Sequence, residues 1–145
     1  MLRVTEANFP KYEELLERAY RLLPERRAGT GERFTMPKFE VSVTGRKTFI
    51  LNFSQVCDFL NRDPRLLNRY ILKEIALPGS VEGHTAVIQG EVRPQLLNKL
   101  LERFVREYVI CPVCGSPDTQ LQKGQRGVFL MRCMACGAVT PVKSF

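Results

Sequence analysis

Two cysteine pairs limit what this chain can fold into more than any other feature. Cys111-Pro-Val-Cys114 and Cys133-Met-Ala-Cys136 each have C-x2-C spacing, and eighteen residues lie between them. Each pair lets two sulfurs of one turn reach the same ion, and four such sulfurs close a tetrahedral site. The segment that carries them, residues 110–145, is too short for a hydrophobic core alone to hold it. A structural zinc supplies the deficit, with apparent binding energies of about 10–16 kcal/mol that count as folding energy. The expectation is one structural Zn2+ on Cys111, Cys114, Cys133 and Cys136. Four cysteines leave no position for water, so a catalytic metal is not expected.

Gly115 and Gly137 follow the second cysteine of each pair, where positive φ tightens the turn. Between the pairs, TQLQ and GVFLMRC read as strands around Lys123–Gly127, and Ala138-Val139-Thr140 supplies a third. The spacing therefore predicts a C-terminal zinc ribbon. A single iron in an S4 site is the competing metal, and the basic surroundings argue against an electron carrier. A disulfide redox motif would require both pairs to be unmetallated.

The rest of the composition is that of a folded domain, with 44% hydrophobic and 26% charged residues. There is no apolar run of transmembrane length and no signal-peptide core in MLRVTEANFP, so a cytoplasmic protein without membrane contact is expected. The formal net charge is +7, from 22 Lys+Arg against 15 Asp+Glu. Four thiolates on one dication would lower it by two. A surface this basic favours an anionic partner, most simply nucleic-acid phosphate.

Near the N-terminus, Tyr12, Leu15, Leu16, Ala19 and Leu23 recur at i, i+3, i+4, i+7 and i+11, one face of an amphipathic helix. Glu13, Glu14 and Glu17 precede Arg18 and Arg21, the order the helix dipole prefers, and Pro24 should end the helix. A glycine-containing basic linker, 25–36, then separates it from the next segment. A lone amphipathic helix is marginal by itself. Its apolar face belongs either on the chain's own central domain or on another protein.

Residues 37–93 read as a small α+β domain. Lys38–Val43 and Thr48–Phe53 alternate about Thr44–Lys47, a hairpin signature. Ser54 is placed to cap a short helix carrying Val56, Cys57, Phe59 and Leu60. Asp63-Pro64 supplies a cap and an N1 proline for a second helix, with Leu66, Leu67, Tyr70, Ile71 and Ile75 inward and Pro78-Gly79 stopping it. Strands at Ser80–Glu82 and Thr85–Gly90 turn at Gly83-His84. This order points to a small antiparallel sheet with helices on one face. A linking helix, 94–109, opens at Pro94 with a broad stripe from Leu96 to Tyr108 and leads directly to Cys111.

Lys99, Arg103 and Arg106 on the polar face of that helix are candidate nucleic-acid contacts, as are Lys123 and Arg126 at the ribbon tip with Arg132 nearby. Glu102–Arg106 and Arg103–Glu107 are also i,i+4 pairs that would solvate any exposed helix. There is no P-loop, His84 is the single histidine, and no acid–base or nucleophile constellation stands out, so no enzymatic activity is expected. Cys57 reads as a small core residue.

Taken in order, the amphipathic helix, the basic tether, FILNFSQVCDFLNRDPRLLNRYILKEI, the linking helix and the CPVCG…CMACG ribbon resemble the beta subunit of translation initiation factor two, the archaeal form most closely. The resemblance covers essentially the whole chain. It implies a non-catalytic subunit of a heterotrimer with alpha and gamma subunits. Gamma binds GTP, and the complex carries methionylated initiator tRNA to the small ribosomal subunit. By the same resemblance, residues 1–24 form a helix that docks on gamma through Tyr12, Leu15, Leu16, Ala19 and Leu23, and the other domains stay mobile. Eukaryotic members carry an N-terminal extension with lysine blocks, which this chain is not expected to have. Initiation factor five shares the central domain and ribbon but lacks the docking helix. The alternative is a free-standing zinc-ribbon nucleic-acid-binding protein, for example a transcription factor.

Overall fold

The computed structural model describes residues 10–22 and 34–145. The chain divides after Phe34, and the two units are taken separately. In the first, α1 spans Tyr12–Leu22. Glu13 and Glu14 occupy its first turn and Arg21 its last, so the charges oppose the helix dipole. Glu17 and Arg21 form an exposed i,i+4 pair at 3.8 Å. No residue of α1 is buried. Leu23, Pro24 and most of the expected linker lie outside the described residues.

The second unit begins with a hairpin of β1 (Val41–Thr44) and β2 (Lys47–Ile50). Its turn is Gly45-Arg46, with Gly45 at φ 62°, which fits the hand of a two-residue hairpin. The strands are shorter than the alternation suggested, because the chain leaves the sheet at Leu51 to enter α2 (Phe53–Phe59). Asn52 makes that exit. Its Oδ1 accepts from the Glu40 N–H at 2.9 Å and its Nδ2 donates to the Lys38 carbonyl at 2.8 Å. This side chain replaces two ladder bonds, and it is therefore not free to cap α2. Asn52, rather than Ser54, holds the N-cap position, and no side chain caps the helix.

α3 (Pro64–Ile75) starts as the sequence indicates, with Pro64 in its first turn and the Asp63 carboxylate accepting from the Arg65 N–H at 2.8 Å. It ends at a left-handed Ala76, so the chain turns before Pro78 is reached. β3 (Gly79–Glu82) and β4 (Thr85–Ile88) form the second hairpin. Gly79 is required by contact. A Cβ there would lie 2.5 Å from the Val87 carbonyl oxygen and 2.8 Å from Leu72 Cδ2, so only glycine lets α3 approach the sheet this closely.

The strands run in the order β1-β2-β4-β3, all antiparallel. Thr48 opposite Ile88 and Ile50 opposite Ala86 share one face of the sheet, and all are fully buried. α2 packs on β4 and α3, and α3 packs on β3 and on α4 (Pro94–Tyr108). The fold is α+β. Leu97, Leu100, Leu101, Phe104, Val105 and Tyr108 of α4 are buried as the stripe requires, while Leu96 at its edge is exposed. Thr48 ties the sheet to the segment that leads into this helix, its Oγ1 donating to the Gly90 carbonyl and accepting from the Val92 N–H.

The ribbon follows: β5 (Thr119–Lys123), β6 (Phe129–Cys133) and β7 (Val139–Val142) form a three-stranded antiparallel sheet. A single 3-10 turn at Gln125–Gly127 joins β5 to β6, with Arg126 in the left-handed region at φ 56°. Among the described residues no helix is long and apolar enough to cross a membrane.

Candidate metal centre

Each cysteine pair folds into a tight turn closed by backbone bonds. Gly115 N–H donates to the Cys111 carbonyl at 2.8 Å, and Gly137 N–H to the Cys133 carbonyl at 3.1 Å. Both glycines lie at positive φ, 71° and 75°, as expected from their positions after the pairs. Cys111 N–H is held by the Ser116 carbonyl and Cys133 N–H by the Ala138 carbonyl. The backbone therefore aims four sulfurs at one point.

All four sulfurs lie within 4.8 Å of one another. Cys111 and Cys136 Sγ are 3.8 Å apart, and Cys114 and Cys133 Sγ are 3.5 Å apart. A tetrahedron with metal–sulfur bonds of ~2.3 Å has edges of about 3.8 Å. The donor set fits Zn2+. Cys111 and Cys133 are buried, and Cys114 and Cys136 face outward.

The backbone N–H of Cys114 pulls the Cys111 thiol below its ordinary range, and that of Cys136 brings Cys133 down to about 7. Cys114 goes the other way. The Ser116 N–H favours its thiolate, but burial and three neighbouring sulfurs push it up to about 12. Four thiolates so close together need a cation among them.

Next to this centre is a residue that sequence reasoning missed. Arg62, only 6% exposed, lies in the loop between α2 and α3 and reaches across to the ribbon. Its Nη2 donates to the Tyr108 carbonyl at 2.7 Å and to Thr119 Oγ1 at 2.6 Å. Its Nη1 donates to the Thr119 carbonyl at 2.6 Å and the Asn61 carbonyl at 3.0 Å. Thr119 Oγ1 in turn donates to the Val109 carbonyl. Burial pulls Arg62 down to about 10, still far above neutrality, so the guanidinium stays charged. Its balance comes from carbonyl dipoles, among them the buried C-terminal end of α4 at Tyr108.

Phe145 completes the seam. Its ring lies 5.2 Å from Tyr70, 5.1 Å from Tyr108 and 5.5 Å from Phe129 of the ribbon, centroid to centroid. Tyr108 Oη donates to the Lys143 carbonyl. The segments expected as central domain, linking helix and ribbon thus fall within one compact unit, residues 35–145.

Of the expected partner-facing residues, Tyr12, Leu15, Leu16 and Ala19 are all exposed on α1, Leu15 and Leu16 at 45% and 41%. Lys99, Arg103 and Arg106 are exposed on α4, with Arg103 paired to Glu107 at 3.1 Å and to Glu74 at 3.5 Å. Lys123 and Arg126 are exposed at the ribbon tip, as is Arg132 on β6. His84 is exposed in its turn, and Cys57 is buried in the core.

Comparison with known proteins agrees with this architecture. The family model of a domain found in initiation factor 2B and initiation factor five matches residues 24–139. "Translation initiation factor 2 subunit beta" of Thermofilum pendens is 62% identical over 138 residues, covering 94% of this chain and 97% of that protein. The proteins of the same name from Staphylothermus marinus and Methanopyrus kandleri are 46% and 44% identical, over 93% and 91% of this chain and 94% of each relative. With identity at this level along nearly the full length of both partners, the chain belongs to the archaeal translation initiation factor 2 subunit beta family.

Proposed function

We propose that the chain acts in translation initiation as the non-catalytic beta subunit of a heterotrimer with alpha and gamma subunits. The assembly works in the cytoplasm and carries methionylated initiator tRNA to the small ribosomal subunit, with GTP bound by gamma. α1 is the handle, and Tyr12, Leu15, Leu16, Ala19 and Leu23 are its gripping face. The observation that supports the docking role is that α1 is an amphipathic helix without a single buried residue. Apolar side chains of this kind contribute about 1.5–3 kcal/mol each when fully buried, so a few of them in a groove suffice for a stable subunit contact. One structural Zn2+ on Cys111, Cys114, Cys133 and Cys136 holds the ribbon, and the tetrahedral sulfur spacing supports that assignment.

Co-purification tests the assignment. The full chain should associate stably with the GTP-binding subunit, and Leu15→Asp with Leu16→Asp should abolish the association while leaving the far-UV spectrum of the rest of the chain unchanged. A double variant that still binds normally removes α1 as the contact surface.

A further inference from the structure

Beside the seam, two surface depressions share a wall. One, of about 650 Å3, is lined by Arg65, Asn68, Arg69, Lys73 and Phe145. The other, of about 350 Å3, is lined by Arg65, Arg69, Lys123, Phe129 and Phe145, with Asp63 at its end. Arg65, Arg69 and Phe145 line both, so they run together as one trough with α3 as the common bank, faced by Val81 of β3 in the larger part and by Leu121 and Lys123 of β5 in the smaller.

Arg65, Arg69 and Lys73 are spaced i, i+4, i+8 along α3, opposite its buried Leu67, Tyr70 and Ile71. Four residues of helix advance about 6 Å, so these cations form a ladder along the trough. All three, and Lys123 opposite, are exposed, and none makes an ion pair among the described residues. The single carboxylate present, Asp63, is engaged in capping α3. On α4 one of the three cations is neutralised, Arg103 by Glu74 and Glu107, while Lys99 and Arg106 make no ion pair among the described residues.

We propose that this trough binds the phosphodiester backbone of RNA, with Arg65, Arg69 and Lys73 contacting successive phosphates and Lys123 closing from the ribbon side. The proposal rests on the reading that the chain works beside an RNA cargo, and it adds where on the chain that RNA lies. Charge complementarity favours RNA over an acidic peptide. Above a floor that includes Leu72, Val81, Leu121 and Phe145, the α3 bank carries a linear row of cations with an amide, Asn68, between the first two, a donor set suited to a regularly repeating anion. An open arginine fork can also grip two oxygens of one phosphate.

The test uses the full, metal-loaded chain and a fluorescein-labelled transcript of an initiator tRNA, with binding followed by anisotropy at several KCl concentrations. The triple variant Arg65→Gln, Arg69→Gln, Lys73→Gln should bind roughly tenfold or more weakly. Its log K against log salt slope should fall by about 2–3, near one unit per lost phosphate contact. Replacing the same arginines by lysine should keep most of the slope. The matched α4 variant, Lys99→Gln, Arg103→Gln, Arg106→Gln, should change both quantities less. The proposal is overturned if the α3 variant keeps the wild-type slope, if the α4 variant loses as much, or if a labelled deca-glutamate peptide binds as tightly as the transcript. Association with the GTP-binding subunit through α1 is scored on the same variants. Retained association with an unchanged RNA slope sinks the trough alone, whereas absence of both in the wild type sinks the subunit assignment.

Discussion

Replacing Arg62 by methionine should destabilise the second unit by about 3 kcal/mol. Methionine keeps the length of the side chain and removes every donor. The Tyr108 and Thr119 carbonyls, held at 2.7 Å and 2.6 Å, then lose their guanidinium in a region with little access to water. An orphaned buried acceptor costs about 1–3 kcal/mol, so the two together cost about 2–6 kcal/mol. Relief from burying a cation offsets part of that, which leaves a loss near the middle of the range. With a guanidinium m-value of about 3 kcal/mol/M, the unfolding midpoint should drop by about 1 M. Arg62→Lys should recover only part, because an ammonium donates from one point and cannot serve both carbonyls as a planar fork does. A double-mutant cycle with Thr119→Val should give a coupling of about 1 kcal/mol or more. A midpoint for Arg62→Met within about 0.2 M of the wild type, or strict additivity in the cycle, would refute the account of Arg62 as the pin of the seam.

Metal removal gives a second check. One zinc per chain is expected by elemental analysis, and Cys136→Ser should lower both its occupancy and the protease resistance of residues 110–145, since metal binding there is folding energy. A third concerns Cys57, whose thiol is pushed up to about 12 by burial, with Asp58 and Asp63 adding to the effect. The unfolded chain ionises this thiol first, from about pH 9, so folded stability should decline as pH rises from 9 towards 12 and be unaffected by this group below that window. Cys57 should also resist a thiol reagent at pH 8 in the native protein and react once denaturant is added.

Local signals carried most of the fold into view from sequence. The C-x2-C spacing located the ribbon and its four-cysteine cluster, because each pair closes a turn of its own over a few residues. Asp63-Pro64 marked the start of α3, and Pro94 marked that of α4, for equally local reasons. What escaped was non-local. Asn52 reads as a strand residue until its amide is seen to span to Lys38 and Glu40. Arg62 sits in Asn61-Arg62-Asp63-Pro64, a run indistinguishable from any charged loop, and its acceptors lie 46 and 57 positions away. The cations of α3 went unremarked because the sequence put attention on the inner face of that helix. Only Val81 of β3, β5 of the ribbon and Phe145, all distant in sequence, make the outer face one side of a trough. The choice of α4 for nucleic-acid contact drew on the same helical periodicity but could not reveal that Glu74, on another helix, is within 3.5 Å of Arg103.

The Phe145 ring, wedged among Tyr70, Tyr108 and Phe129, has a mechanical consequence. It joins the cysteine ribbon to α3 and α4 through one cluster of rings, so a change of angle between ribbon and helices has to part those rings. Parting them would return apolar surface to water at a cost of roughly 25 cal/mol per Å2. While the cluster stays closed, two contacts made on either side of it are held at a fixed span, and their relative orientation is set once, during folding, and not again at each encounter.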